Sequence, residues 1–100
     1  MRFEFKSKKL ELLYTEEKGA QKYDPAVVEA FFDVMAIIRA AVDEQDIRRF
    51  KSLHYEKLKG SLHHLHSLRL NDQFRLIVER IVDERGRLLL IIDIDPHRYR

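Results

Sequence analysis

The stretch that decides the fold is Glu56-Lys57-Leu58-Lys59-Gly60-Ser61-Leu62-His63-His64-Leu65-His66-Ser67-Leu68-Arg69-Leu70-Asn71-Asp72-Gln73-Phe74-Arg75-Leu76-Ile77-Val78. It reads as a basic loop ending at Gly60, a strand, a turn and a second strand. Alternate residues of a strand face opposite sides. Leu62, Leu68, Leu70, Phe74, Leu76 and Val78 share one parity, so an apolar face runs along both strands. A loop over Asn71 to Gln73 sets Leu70 opposite Phe74 and Leu68 opposite Leu76. The same register sets Arg69 opposite Arg75 on the other face, where like charges repel and an anion such as a phosphate would relieve them. A two-residue Asn71-Asp72 turn is the rival register and separates the arginines. The first keeps the apolar face continuous.

Working outward, Phe3 and Phe5 alternate with charged residues as in a short strand. Leu10, Leu13 and Tyr14 within residues 8–17 suggest a short amphipathic helix ended by Gly19. Asp24-Pro25 marks a helix start, with Asp24 as cap and Pro25 at the first helical position. Val27, Phe31, Val34, Ile38 and Ala41 form its stripe, widened by Val28, Phe32 and Met35, and the helix is expected to run to about Val42. A helix apolar around that much of its girth is buried on both sides or covered by a partner. Asp46 is the expected cap of a short helix through Ile47 and Phe50. A second turn falls at Asp83-Glu84-Arg85-Gly86, and Leu88 to Ile92 is an unbroken apolar run belonging inside a sheet. Pro96 is expected to end the pairing.

These elements predict one small α+β domain over residues 1–100: two N-terminal helices packed on one face of a small, curved, mainly antiparallel sheet. Its expected core joins Phe31 and Ile38 to Leu68, Leu70, Phe74, Leu76, Val78, Leu90 and Ile92. With no cysteine, disulfides and thiolate metal sites are excluded, which fits a reducing cytoplasm. The N-terminus has no long apolar run, so neither a signal peptide nor a membrane span is expected.

The formal net charge of +2 hides an asymmetry. Residues 1–47 carry seven Lys/Arg against ten Asp/Glu, net −3; residues 48–100 carry twelve against seven, net +5. The basic half holds the hairpin, the footprint of a polyanion binder. The alternatives are solvated lysines and arginines paired with Asp72, Glu79 or Asp95. His64 and His66 share a strand face at metal-ligand spacing, but His63 points away and no third ligand is apparent, so no metal site is assigned.

Glu56-Lys57-Leu58-Lys59-Gly60 followed by Ser67 to Ile77 resembles the hairpin of the RelE/ParE toxin superfamily. Lys9-Leu10-Glu11-Leu12-Leu13-Tyr14 and Asp95-Pro96-His97 are most similar to its HigB branch. The resemblance covers nearly the whole chain. It implies a bacterial toxin of a type II toxin–antitoxin pair that cleaves messenger RNA in the ribosomal A site. It also implies a HigA-like helix-turn-helix antitoxin as partner, operator DNA contacted through that antitoxin, no membrane association and a cytoplasmic location. Carried over by position, Arg69, Arg75 and His97 are the implied catalytic residues, and His54, Lys57, Lys59 and Tyr99 the implied RNA-binding ones. Pro96 stands where the branch often has tyrosine, which leaves Tyr99 as the nearby aromatic for base stacking. The stretch between Gly60 and Ser67 also departs from relatives, which usually carry glycine and an aromatic there. Such cleavage needs a proton-transfer group, for which histidine is suited. It also needs donors for the phosphorane, for which the arginine fork is suited. No cofactor is required. The competing function within the superfamily is ParE-like poisoning of DNA gyrase; a weak member that binds only antitoxin and operator DNA is a third.

Overall fold

The computed structural model describes residues 1–96. Strand β1 (Arg2–Phe5) leads into α1 (Lys8–Glu16), α2 (Pro25–Ala40) and the short α3 (Glu44–Arg48), followed by β2 (Glu56–Lys57), β3 (Leu65–Arg69), β4 (Phe74–Asp83) and β5 (Gly86–Pro96). The sheet order is β1-β5-β4-β3-β2. Only the β1–β5 pair is parallel among the described strands; the others are antiparallel. The mixed α+β class and the mainly antiparallel sheet match the sequence reading.

Each helix starts where a short polar side chain can accept an otherwise unmet amide hydrogen. The Ser7 hydroxyl accepts from the Leu10 amide at 3.2 Å. Asp24 accepts from Ala26 at 2.9 Å, with Pro25 at the first helical position as expected. The cap of α3 is Asp43, which accepts from Gln45 at 2.9 Å, and not Asp46. Asp46 instead accepts from the Val42 amide at 2.8 Å and pairs with Arg49. Helix α2 stops at Ala40, two residues short of the expected end, and leaves Val42 84% exposed.

Buried side chains from all three helices and from the sheet form one cluster: Leu10 and Leu13 of α1, Phe31, Met35 and Ile38 of α2, and Ile47 of α3, with Leu68, Leu76 and Val78. Phe3, Phe5, Tyr14 and Phe32 pack against it with Phe31 as an aromatic group, Phe3 meeting Tyr14 edge-on at 5.7 Å.

The expected contributions of Leu90 and Ile92 are corrected. Leu89 and Ile91 are the fully buried residues of β5, and Leu90 and Ile92 are half-buried. The ladder explains the change. Val78 pairs with Ile91 while Ile77 pairs with Asp93, so Ile92 is an extra residue in β5. The bulge reverses the strand's parity, and past it Ile94 is the buried residue. Leu62 also departs from expectation. It lies in a 3-10 turn over Gly60–Leu62, before β3 begins, and is 46% exposed.

Candidate functional site

The β3–β4 hairpin has the register expected of a three-residue loop. Leu68 faces Leu76, and Arg69 faces Arg75. Asn71 fixes the loop: its side-chain oxygen accepts from the Gln73 and Phe74 amides at 2.9 and 2.8 Å. The Leu70 amide closes the loop on the Phe74 carbonyl at 3.0 Å. Because Leu68 and Leu76 point into the core, Arg69 and Arg75 lie on the opposite face.

The arginines are not left for a phosphate to reconcile, as the sequence suggested. Arg69 donates to Asp72 in the loop itself. Arg75 lies across the next ladder from Asp95, with its guanidinium 3.6 Å from that carboxylate. The Arg69 side chain is 38% exposed and that of Arg75 is 15% exposed. Arg75 Nε is buried and has no hydrogen-bond partner among the described residues. Glu79, the third candidate counter-ion, pairs with neither arginine among the described residues.

Arg75, Asp93 and Asp95 form the polar side of a shallow cavity of about 190 Å³ whose remaining lining is Leu58, Leu62, Leu65, Ile77 and Ile92. Small-molecule pockets are larger, about 300–1,000 Å³. A hollow of that size does not enclose a ligand, and its polar side carries two carboxylates beside one guanidinium.

The expected lysines do not join this face together. In β2, Lys57 pairs with His66 and Glu56 pairs with Ser67. Directly opposed residues share a face, and His66 has the parity of Leu68. Lys57 therefore sits on the core side of the sheet's edge, and Glu56 is the β2 residue on the arginine side. Lys59 is exposed and precedes the Gly60–Leu62 turn. His54 is exposed and ends a 3-10 turn in the left-handed region, φ 46°. His97 and Tyr99 lie outside the described residues.

A second polar cluster went unnoticed in the sequence. Glu44 is 5% exposed. It accepts from the Tyr55 hydroxyl at 2.6 Å and from Arg87 at 3.4 Å, and the Arg80 guanidinium pairs with it at 2.9 Å. The His66 ring stacks on Tyr55 at 5.0 Å, and the Arg48 guanidinium lies 4.9 Å over the Tyr55 ring. Burial, then the bond to Glu44, raises the Tyr55 pKa. Burial, then the charge on Arg80, lowers that of His66. One signal was available: Arg80 has the parity of Leu76 and Val78, and a cation at a core position requires a buried counter-ion. His66 is thus turned into this cluster, away from any shared site with its neighbours. His63 and His64 are exposed, with rings edge-on at 6.0 Å. Among the described residues, no group of three or more His, Cys, Asp or Glu could hold a metal ion.

The family model of HigB-like toxins, described as RelE-like toxins of type II toxin–antitoxin systems, matches residues 3–97. The chain is similar to toxin HigB-1 of Vibrio cholerae, with 33% identity over 99 residues that cover 99% of this chain and 100% of the relative. Among solved structures, it resembles a YoeB/ParE toxin from Agrobacterium tumefaciens, with TM-score 0.60 and 18% identity, covering 98% of this chain and 100% of that one. It also resembles a YoeB dimer from Staphylococcus aureus, with TM-score 0.53 and 22% identity, covering 99% and 98%. The structural likenesses speak for the fold; the family model and the full-length relative speak for descent. The chain belongs to the HigB-like toxins, the RelE-like toxins of type II toxin–antitoxin systems.

Proposed function

We propose that this toxin is a ribosome-dependent endoribonuclease that cleaves messenger RNA without a metal ion and so blocks translation. The observation that carries the reading is the Arg69–Arg75 pair, held in register on the sheet face opposite the core, in a chain of this family. Arg75 is the phosphate-gripping residue: its side chain is held by Asp95 and its Nε–H is left without a partner among the described residues. A planar cation of this kind stabilises the phosphorane as charge builds on its oxygens. Asp95 must yield part of its hold as the substrate phosphate arrives, so the carboxylate orients the arginine until substrate displaces it. His97, two residues beyond Asp95 in the chain, is the proton-transfer group. Lys59 and His54 contact RNA beside the cleavage site, Lys57 contacts it from the other side of the sheet's edge, and Tyr99 stacks on a base.

The partner in the cell is an antitoxin, of the HigA-like helix-turn-helix kind, through which operator DNA is reached; both act in the bacterial cytoplasm. A Staphylococcus aureus relative of the same fold was solved as a heterotetrameric YoeB–YefM toxin–antitoxin complex, which supports an antitoxin partner. The test is expression without antitoxin. Growth arrest with translation falling before any DNA damage, and with messenger RNA cut, supports the proposal. An early SOS response with intact messenger RNA overturns it in favour of gyrase poisoning.

A further inference from the structure

The positive charge of the basic half is distributed unevenly. Arg69 and Arg75 each have their own carboxylate, Asp72 and Asp95. Around Glu44 the balance is different. Arg80 and Arg87 share that single carboxylate, Arg48 lies over Tyr55, and Lys57 sits opposite His66 in the β2–β3 ladder. Four positive charges face one negative, and among the described residues none of the four pairs with any other carboxylate. The Glu44 side chain is 6% exposed, but those of Arg80 and Arg87 are 40% and 59% exposed, and Arg48 and Lys57 are also exposed. The buried carboxylate holds Arg80 and Arg87 side by side, and both side chains keep much of their surface exposed. Such a cluster is repulsive within the free chain and attractive to a regularly spaced anion.

We propose that Arg48, Lys57, Arg80 and Arg87 form a second nucleic-acid contact, for the phosphate backbone of duplex RNA, on the side of the sheet opposite the Arg69–Arg75 pair. The rings of the cluster rule out base stacking: Tyr55 and His66 are buried against each other, at 8% and 6% exposure. Contacts are therefore to phosphates, which suits a paired helix whose bases are already stacked. The choice of RNA rests on the proposed function. The location does not, since it follows from the charge count.

The test measures binding of the full chain to a mixed-sequence RNA duplex by fluorescence anisotropy across a salt series. Arg48→Gln with Arg87→Gln removes two cations and keeps Arg80 on Glu44. The slope of log Kd against log salt should fall by about 1.5, two contacts at about 0.7–0.9 each. Arg48→Lys with Arg87→Lys should restore most of it, and a melting curve for each variant confirms folding. Lys18→Gln, which removes an exposed cation just after α1, should leave duplex binding unchanged. A glutamine variant that melts like the wild type and binds duplex RNA with the wild-type slope overturns the proposal. So does wild-type binding that is tighter to duplex DNA than to duplex RNA. Messenger RNA cleavage on ribosomes is assayed separately: loss of duplex binding in the glutamine variant supports this surface even if the wild type does not cleave, and that result overturns the cleavage reading alone.

Discussion

The Arg75 guanidinium lies 3.6 Å from the carboxylate of Asp95, its partner across the β4–β5 ladder. The pair links the strand that follows the hairpin loop to the last strand of the sheet. It also separates two jobs that sequence alone runs together, holding an arginine in place and leaving it able to meet a phosphate.

Arg75→Ala is expected to slow single-turnover cleavage of messenger RNA on programmed ribosomes by about 10²–10³-fold, the usual loss for one transition-state donor. With its side chain 15% exposed, Arg75 also contributes to packing. A modest fall in melting temperature should therefore accompany the loss. Cleavage within a factor of three of wild type would remove Arg75 from the site.

His97→Gln is expected to fail differently. Ribosome binding and its salt dependence should stay near wild type, while the cleavage rate falls about 10²–10⁴-fold. Binding and single-turnover chemistry, measured separately at two salt concentrations, distinguish the cases. A wild-type rate would transfer the proton role to His54 or to a lysine.

Tyr55→Phe tests the Glu44 cluster as a structural element. It removes a 2.6 Å hydrogen bond to a buried carboxylate while leaving Arg80 in place. The expected cost is about 1.5–3 kcal/mol, the range for hydrogen bonds to charged groups. Urea unfolding should show a lower midpoint with an unchanged slope. A loss under about 0.5 kcal/mol would mean that the bond contributes little.

His66 gives the cluster a pH dependence. Burial and then the charge of Arg80 lower its pKa, with Arg48 and Lys57 acting in the same direction and Glu44 opposing. The folded state therefore binds a proton on His66 less readily than the unfolded chain, whose value is about 6.5. This contribution to stability is fully present above about pH 6.5 and is lost as the pH falls towards the folded value. Melting temperatures at pH 7.5 and 5.5 should differ more for wild type than for His66→Gln. Equal differences would show that other groups carry the acid sensitivity.

The sequence is informative where a local pattern determines the outcome. Parity in Leu68, Leu70, Leu76 and Val78 fixes the hairpin register, and hence the opposed arginines, because a one-residue slip would turn every apolar side chain outward. Asp24-Pro25 sets the start of α2 through local hydrogen bonding alone. The run Leu88 to Ile92 is apolar at every position, so it cannot reveal that a bulge at Ile92 selects Leu89 and Ile91 for the core. Strand β2 has two residues, too few for a period, and Lys57 therefore falls on the side opposite to the arginines. Glu44 stands in an acidic run that reads as a break between helices. Its burial depends on Arg80 and Arg87, which only the folded sheet brings to it.

The strand order has a consequence for how the molecule comes into being. β5 lies between β1 and β4, yet it follows every other described strand in the chain. Until residues 86–96 have emerged from the ribosome, β1 has no neighbour in the sheet, β4 lacks one of its two, and Leu89 and Ile91 are missing from the core. Joining β1 to β5 also closes a loop of most of the chain's length, a slow step in folding. A nascent chain stopped before β5 therefore carries both arginines of the hairpin without the sheet that presents them, and the toxin matures only after the ribosome making it has finished this strand.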